Sequence, residues 1–166
     1  MPTVASTVVA PGISVPPTGD LPLVGDTTDL PAHLSCRLPH TPCAAGRARR
    51  SVEDFLRERG GDVLGDAAHL IVSELVTNAV RHGRPPVDLT LTWLDGHTHR
   101  PRLRVEVLDR GTSGCPALST GFGDDRAEGG RGLMLVEACS DRWGASPHTD
   151  AGLRVWAEIA GPETGD

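Results

Sequence analysis

No lysine occurs anywhere in the chain, and all 16 basic residues are arginine. That excludes a P-loop lysine, Schiff-base chemistry and a lysine general base. Tyrosine and glutamine are also missing, and asparagine occurs once, at Asn78. This is the pattern of a GC-biased genome avoiding AAR and AAY codons, so a single asparagine inside a helical stretch asks for an explanation. Cysteines are few. Cys36, Cys43, Cys115 and Cys139 form no C-x-x-C pair, and no histidine stands at zinc-finger spacing from them. They read as free thiols. No apolar run approaches the roughly 18 residues of a membrane span. Met1 to Pro17 has neither a basic start nor a continuous apolar stretch, so no secretory leader is expected. These absences predict a cytoplasmic chain with no membrane partner. A formal net charge of −6 argues against a general nucleic-acid partner, which would need a positive field.

What is present is enough for one domain with a real core, at 166 residues. Residues 1–32 are rich in Pro, Gly, Thr and Val without helical period and read as a disordered tail. Residues 33–160 carry the periodic segments, and 161–166 form a short C-terminal tail. His33 to Pro39 predicts a first strand. Ala45, Ala48, Val52, Phe55 and Leu56 recur at three- and four-residue steps, which predicts an amphipathic helix over Ala44 to Arg59, ended by Gly60-Gly61. A second helix is expected from Asp66, as N-cap, to His82, with Gly83 as its stop. Its buried face is Ala68, Ile71, Val72, Leu75, Val76 and Ala79.

Val87, Leu89, Leu91 and Trp93 alternate with polar residues, as do Leu103, Val105 and Val107, so two half-buried strands follow. The Gly-rich stretch Asp109 to Gly130 is longer than most loops and reads as a lid or binding loop. A helix over Gly132 to Ser140 and strands over Arg142 to Pro147 and Leu153 to Ile159 complete the chain. Strands in neighbouring pairs predict an α+β fold: a two-layer sandwich with a mixed, mostly antiparallel sheet and helices on one face.

Three segments could carry chemistry. In Ser73-Glu74-Leu75-Val76-Thr77-Asn78-Ala79-Val80-Arg81-His82-Gly83, the i, i+4 spacing puts Glu74 and Asn78 on one helix face, one turn apart. An amide oxygen is a hard neutral ligand for Mg²⁺, which binds few protein groups. A carboxylate one turn away can orient or deprotonate a hydroxyl. In Val107-Leu108-Asp109-Arg110-Gly111, an acid at the end of a buried strand can present a carboxylate to a base edge, and glycine lets the backbone approach a ligand. In Gly129-Gly130-Arg131-Gly132-Leu133, glycines at a helix start expose N–H groups to phosphate. Each alone is equally an ordinary polar face, an ordinary turn or an ordinary loop. The cluster Arg47, Arg49 and Arg50 is likewise either a solvated helix face or a surface for an acidic partner.

Together and in this order, the three segments resemble the ATP-binding domain shared by gyrase, heat-shock chaperone, histidine kinase and MutL-type ATPases. The asparagine box resembles Glu-Leu-Val-x-Asn-Ala-x-Arg-His, the first glycine box Asp109-x-Gly111, and the second Gly130-x-Gly132-Leu133. The resemblance covers about His33 to Ala160. The short lid looks most like the anti-sigma-factor serine/threonine kinases, and more narrowly the small ATP-binding regulators of actinomycetes. The resemblance implies ATP and Mg²⁺ as ligands, Asn78 as the metal ligand and Glu74 as the catalytic base. It implies that Asp109 bonds the adenine amine with Gly111 below the base. Gly130, Arg131, Gly132 and Leu133 would frame the lid and phosphates, and Arg81 would reach phosphate. It also implies a sigma factor or its antagonist as partner, in partner-switching control of transcription, and admits a homodimer. A non-catalytic, ATP-dependent binding module of the same fold is the alternative. Two positions depart from the pattern: Ser113 replaces the second glycine of the first box, and Arg154 stands where a small hydroxyl residue is usual.

Overall fold

The computed structural model describes residues 8–9, 32–94, 100–111, 130–148 and 152–162. The elements, in chain order, are β1 (Val8–Val9), β2 (His33–Leu38), α1 (Ala44–Arg57), α2 (Gly65–His82), β3 (Val87–Trp93), β4 (Arg102–Asp109), α3 (Gly130–Cys139), β5 (Arg142–Pro147) and β6 (Leu153–Ala160). The expected helices and strands are thus present.

α1 buries Ala44, Ala48, Val52, Phe55 and Leu56, one stripe at helical spacing, while Arg47, Arg49 and Arg50 stay exposed. α2 buries Ala68, Ile71, Val72, Leu75, Val76 and Ala79, the face its periodicity predicts. Its start differs from expectation. Asp66 does not cap it; the helix opens at Gly65 on a 3₁₀ turn, Asp62–Leu64, and no side chain caps either. Leu64 is 3% exposed and anchors that turn in the core, so packing rather than a cap fixes the first turn. Asp66 lies in the first turn, where its charge complements the helix dipole. At the other end the Gly83 N–H donates to the Ala79 carbonyl at 3.0 Å and closes the helix as expected.

The stretch Asp62–His82 has the length and composition of a membrane span, although polar residues interrupt its apolar run. Its apolar face is packed inside the domain, as in a core helix.

The sheet order is β1-β5-β6-β4-β3-β2. Every described pairing is antiparallel, so the parallel neighbours that a mixed sheet would include do not occur among the described residues. The hairpin β5–β6 sets β6 against β4, and β3–β4 is a second hairpin, so neighbours run in opposite directions throughout. β1 falls inside the segment read as a tail. It pairs Val8 with Ala145 and Val9 with Gly144, on the side of β5 that β6 leaves open. The rest of residues 1–31, the lid with Ser113, and residues 163–166 lie outside the described residues.

The helices pack on one face of the sheet. Val87, Leu89, Leu91, Leu103, Val105, Val107, Ala157 and Ile159 meet the buried faces of α1 and α2 there. Burying a side chain of this size contributes about 1.5–3 kcal/mol. On the other face Arg104 spans Glu158 at 2.8 Å and Glu106 at 3.4 Å and lies over the Trp156 ring, 4.1 Å from its centroid. Arg102 reaches Glu158 at 3.3 Å and Arg154 reaches Glu106 at 3.1 Å. This charged lattice keeps the helix-free face polar.

Candidate functional site

Two clusters of side chains meet along α2. The first sits mid-helix. Glu74 and Asn78 are half-buried on one stripe, and no described residue hydrogen-bonds to either side chain. The first turn of α3 lies directly on them. Gly132 is buried, and a Cβ there would come within 3.0 Å of Glu74 Oε2 and within 3.7 Å of Asn78 Nδ2. Glycine is what allows α3 to approach so closely. Val136, fully buried, and Leu133, partly buried, hold α3 in that position against the core. The first turn of a helix carries N–H groups without intrahelical partners, so this junction sets a carboxylate and an amide beside such a turn.

The second cluster surrounds Asp109 at the end of β4. It is 5% exposed and is the one buried acid among the described residues. The Gly111 N–H donates to Asp109 Oδ1 at 2.6 Å. Desolvation raises the Asp109 pKa above its ordinary value of 3.8, while the backbone N–H groups of Gly111 and Arg84 and the nearby His40 pull it the other way. The segment after α2 is tied to this point, since the Arg110 N–H donates to the Arg84 carbonyl at 3.0 Å. Glycines wall the carboxylate on several sides. A Cβ at Gly83 or at Gly111 would lie closer than 3.0 Å to Asp109 side-chain atoms, and one at Gly152 would meet the Asp109 carbonyl. A buried carboxylate with spare acceptor capacity and walls without side chains suits a flat, donor-bearing ligand.

Residues 38–159 match the family model of the histidine kinase-like ATPase domain. The chain belongs to that family. No curated protein matches it.

Domains of this family bind ATP. The residues fit the nucleotide. Asp109 takes the backbone N–H groups of Gly111 and Arg84, and with about four lone-pair sites on its two oxygens it keeps acceptor capacity for an exocyclic amine. The Asn78 amide, free of described partners, fits Mg²⁺. No group of three or more His, Cys, Asp or Glu that could hold a metal occurs among the described residues, so a divalent ion here would depend on phosphate oxygens and water.

Of the residues expected from sequence, Glu74, Asn78 and Gly132 come together, and Asp109 and Gly111 come together. The two clusters are linked by α2, whose stop Gly83 touches the second. Arg81 is exposed on the last turn of α2, three residues past Asn78. Gly130 and Arg131 form the start of α3, and Leu133 packs inward behind them.

Arg154 does not enter the cleft. It lies on the helix-free face beside Glu106, while Leu153 is the register partner of Asp109. Sequence reading missed the second role of Gly83, the part of Gly152 and the nearness of His40. His40 comes from the β2–α1 turn, and its buried Nε2 has no described partner. No periodic signal marks a turn residue that reaches a site through the fold.

Proposed function

We propose that this ATPase domain is a cytoplasmic anti-sigma-type serine/threonine protein kinase. It binds Mg-ATP, phosphorylates an antagonist protein, and holds or releases a sigma factor accordingly. The observation that carries this reading is the packing of Gly132 on Glu74 and Asn78. It supports a reading in which the Glu74 carboxylate stands beside the phosphates, where an incoming hydroxyl would need a base.

ATP supplies the phosphoryl group. Asp109 accepts from the adenine amine and fixes the base, so the phosphate chain extends along α2 towards α3. The first turn of α3 offers backbone N–H groups to the phosphates. Asn78 holds Mg²⁺ through its amide oxygen. Arg81 is within reach of phosphate from the end of α2. Glu74 takes the proton of the serine or threonine hydroxyl as its oxygen bonds to the γ-phosphorus and the bond from that phosphorus to ADP breaks. Positioning and charge stabilisation supply most of the acceleration in such a transfer.

The test separates binding from chemistry. Glu74→Gln keeps the size of the side chain and its contact with Gly132, so nucleotide binding should stay within about twofold. Phosphotransfer to the partner captured from the native cell with ATP should drop at least a hundredfold, within the range for losing a general base. Transfer at the wild-type rate would remove Glu74 as base. Mg-ATP binding by the wild type without any transfer would make the domain a nucleotide-dependent binding module.

A further inference from the structure

β2 is the outer strand of the sheet at the end opposite β1, and no described strand pairs with its free side. The phase of that free side follows from the ladder. The Trp93 N–H donates to the Ala32 carbonyl at 2.8 Å, so hydrogen-bonded pairs with β3 recur at Leu34, Cys36 and Leu38. His33, Ser35 and Arg37 therefore turn their backbone N–H and C=O groups outward. The short Ser35 Oγ to Thr90 Oγ1 contact, 3.1 Å, agrees, because side chains lie closest in the pairs that are not hydrogen-bonded. An outer strand with three outward-facing residues is a template for a further strand.

Beside it, α1 and β2 enclose a cleft of about 360 Å³, lined in part by Cys36, Leu38, Arg37, Arg47, Arg50 and Asp54. Two of its charges are already matched: Arg37 pairs with Asp88 at 2.8 Å, and Asp54 with Arg57 at 2.8 Å. Arg47 and Arg50 are exposed and have no described partner. The cleft thus carries two unmatched positive charges on a chain whose net charge is −6.

We propose that this edge docks an extended acidic segment of a partner protein. The segment adds to β2 as a further strand and sets carboxylates on Arg47 and Arg50. In a strand, alternate residues share a face and lie about 7 Å apart. Arg47 and Arg50 lie about 4.5 Å apart along the helix axis, within reach of successive carboxylates on that face. Main-chain bonds to His33, Ser35 and Arg37 supply affinity, and the arginines supply selection for acid. A second copy of this chain fits poorly, because a two-fold pairing of β2 edges would bring like-charged arginine clusters together. The proposal holds whether or not the domain transfers phosphate.

The probe is a fluorescein-labelled octapeptide of alternating Glu and Thr, titrated with the full chain at low ionic strength and followed by anisotropy. Controls are a Lys-Thr peptide and Glu-Thr peptides N-methylated at every second residue, on the Glu or on the Thr positions. The Glu-Thr peptide should bind and the Lys-Thr peptide should not. Arg47→Glu with Arg50→Glu should weaken binding at least tenfold while leaving Mg-ATP binding unchanged, which shows the fold intact. One of the two N-methylated peptides should lose at least tenfold. The proposal is overturned by any of four results: no binding of the Glu-Thr peptide, equal binding by the double variant, both N-methylated peptides binding like the parent, or a sedimenting dimer that excludes the peptide.

Discussion

Asp109 is the residue on which nucleotide recognition would turn in the proposed reading, and its role there can be tested apart from the fold. One of its oxygens takes the Gly111 N–H at 2.6 Å, and an asparagine oxygen would do the same. Asn offers a single acceptor oxygen, so Asp109→Asn can keep the Gly111 bond but has less acceptor capacity for the Arg84 N–H and a ligand amine together. Affinity for ATP should fall at least tenfold by isothermal titration, with the far-UV spectrum unchanged. Gly132 gives a second residue-scale test. Its substitution by alanine drives a methyl group into the Glu74 carboxylate, so α3 must shift away from α2. Gly132→Ala should weaken nucleotide binding about tenfold or more while costing less than about 2 kcal/mol in urea unfolding, since overpacking in a site at the edge of the core is of that order. Binding at the wild-type level would show that the close seat of α3 on Glu74 and Asn78 is dispensable.

At the scale of elements, what local sequence encodes is what sequence reading recovered. α2 and β3 carry strong periods, so their buried faces match the expectation residue by residue. The spacing of Glu74 and Asn78, the glycine at the start of α3 and the place of Asp109 at a strand end are local facts as well, which is why the members of the first cluster and part of the second are legible in the sequence. The rest of the second cluster is tertiary. Gly83, Gly152 and His40 reach Asp109 from three different parts of the chain, and Leu64 rather than Asp66 sets the start of α2 because a buried leucine anchors its first turn. Sheet order belongs to the same class, since each pairing depends on which strand edges remain free. The lattice on the helix-free face is a product of that order: Glu158, with a side chain 12% exposed, bonds both Arg102 and Arg104 from the neighbouring strand. Glu158→Ala should destabilise the domain by about 1–3 kcal/mol, the range for hydrogen bonds to charged groups, measured by urea unfolding. A loss below about 0.3 kcal/mol would class these pairs with freely solvated ones.

For the molecule as a whole, the buried acid sets a pH dependence. Its pKa is raised in the folded state above 3.8. Below that value both folded and unfolded chains are protonated at Asp109, and its contribution to stability is fully present. As pH rises through the folded value the native domain must ionise a buried group, and the contribution is lost. The nucleotide-free wild type should therefore lose stability relative to Asp109→Asn as pH climbs from about 4 towards neutrality, in matched thermal melts. A gap that widened towards acid would contradict this sign. Saturating Mg-ATP at about a hundred times its dissociation constant adds about 2.7 kcal/mol by mass action and should raise the melting temperature of the wild type far more than that of the variant.

The walls of glycine around that carboxylate carry a further implication for the life of the protein in its cell. A domain whose ligand-free form shelters an ill-solvated charge is at its most relaxed only when adenine nucleotide is abundant. When the supply falls, more molecules open, and proteases that act on opened chains meet them more often. The abundance of the domain would then follow the supply of adenine nucleotide in the cell.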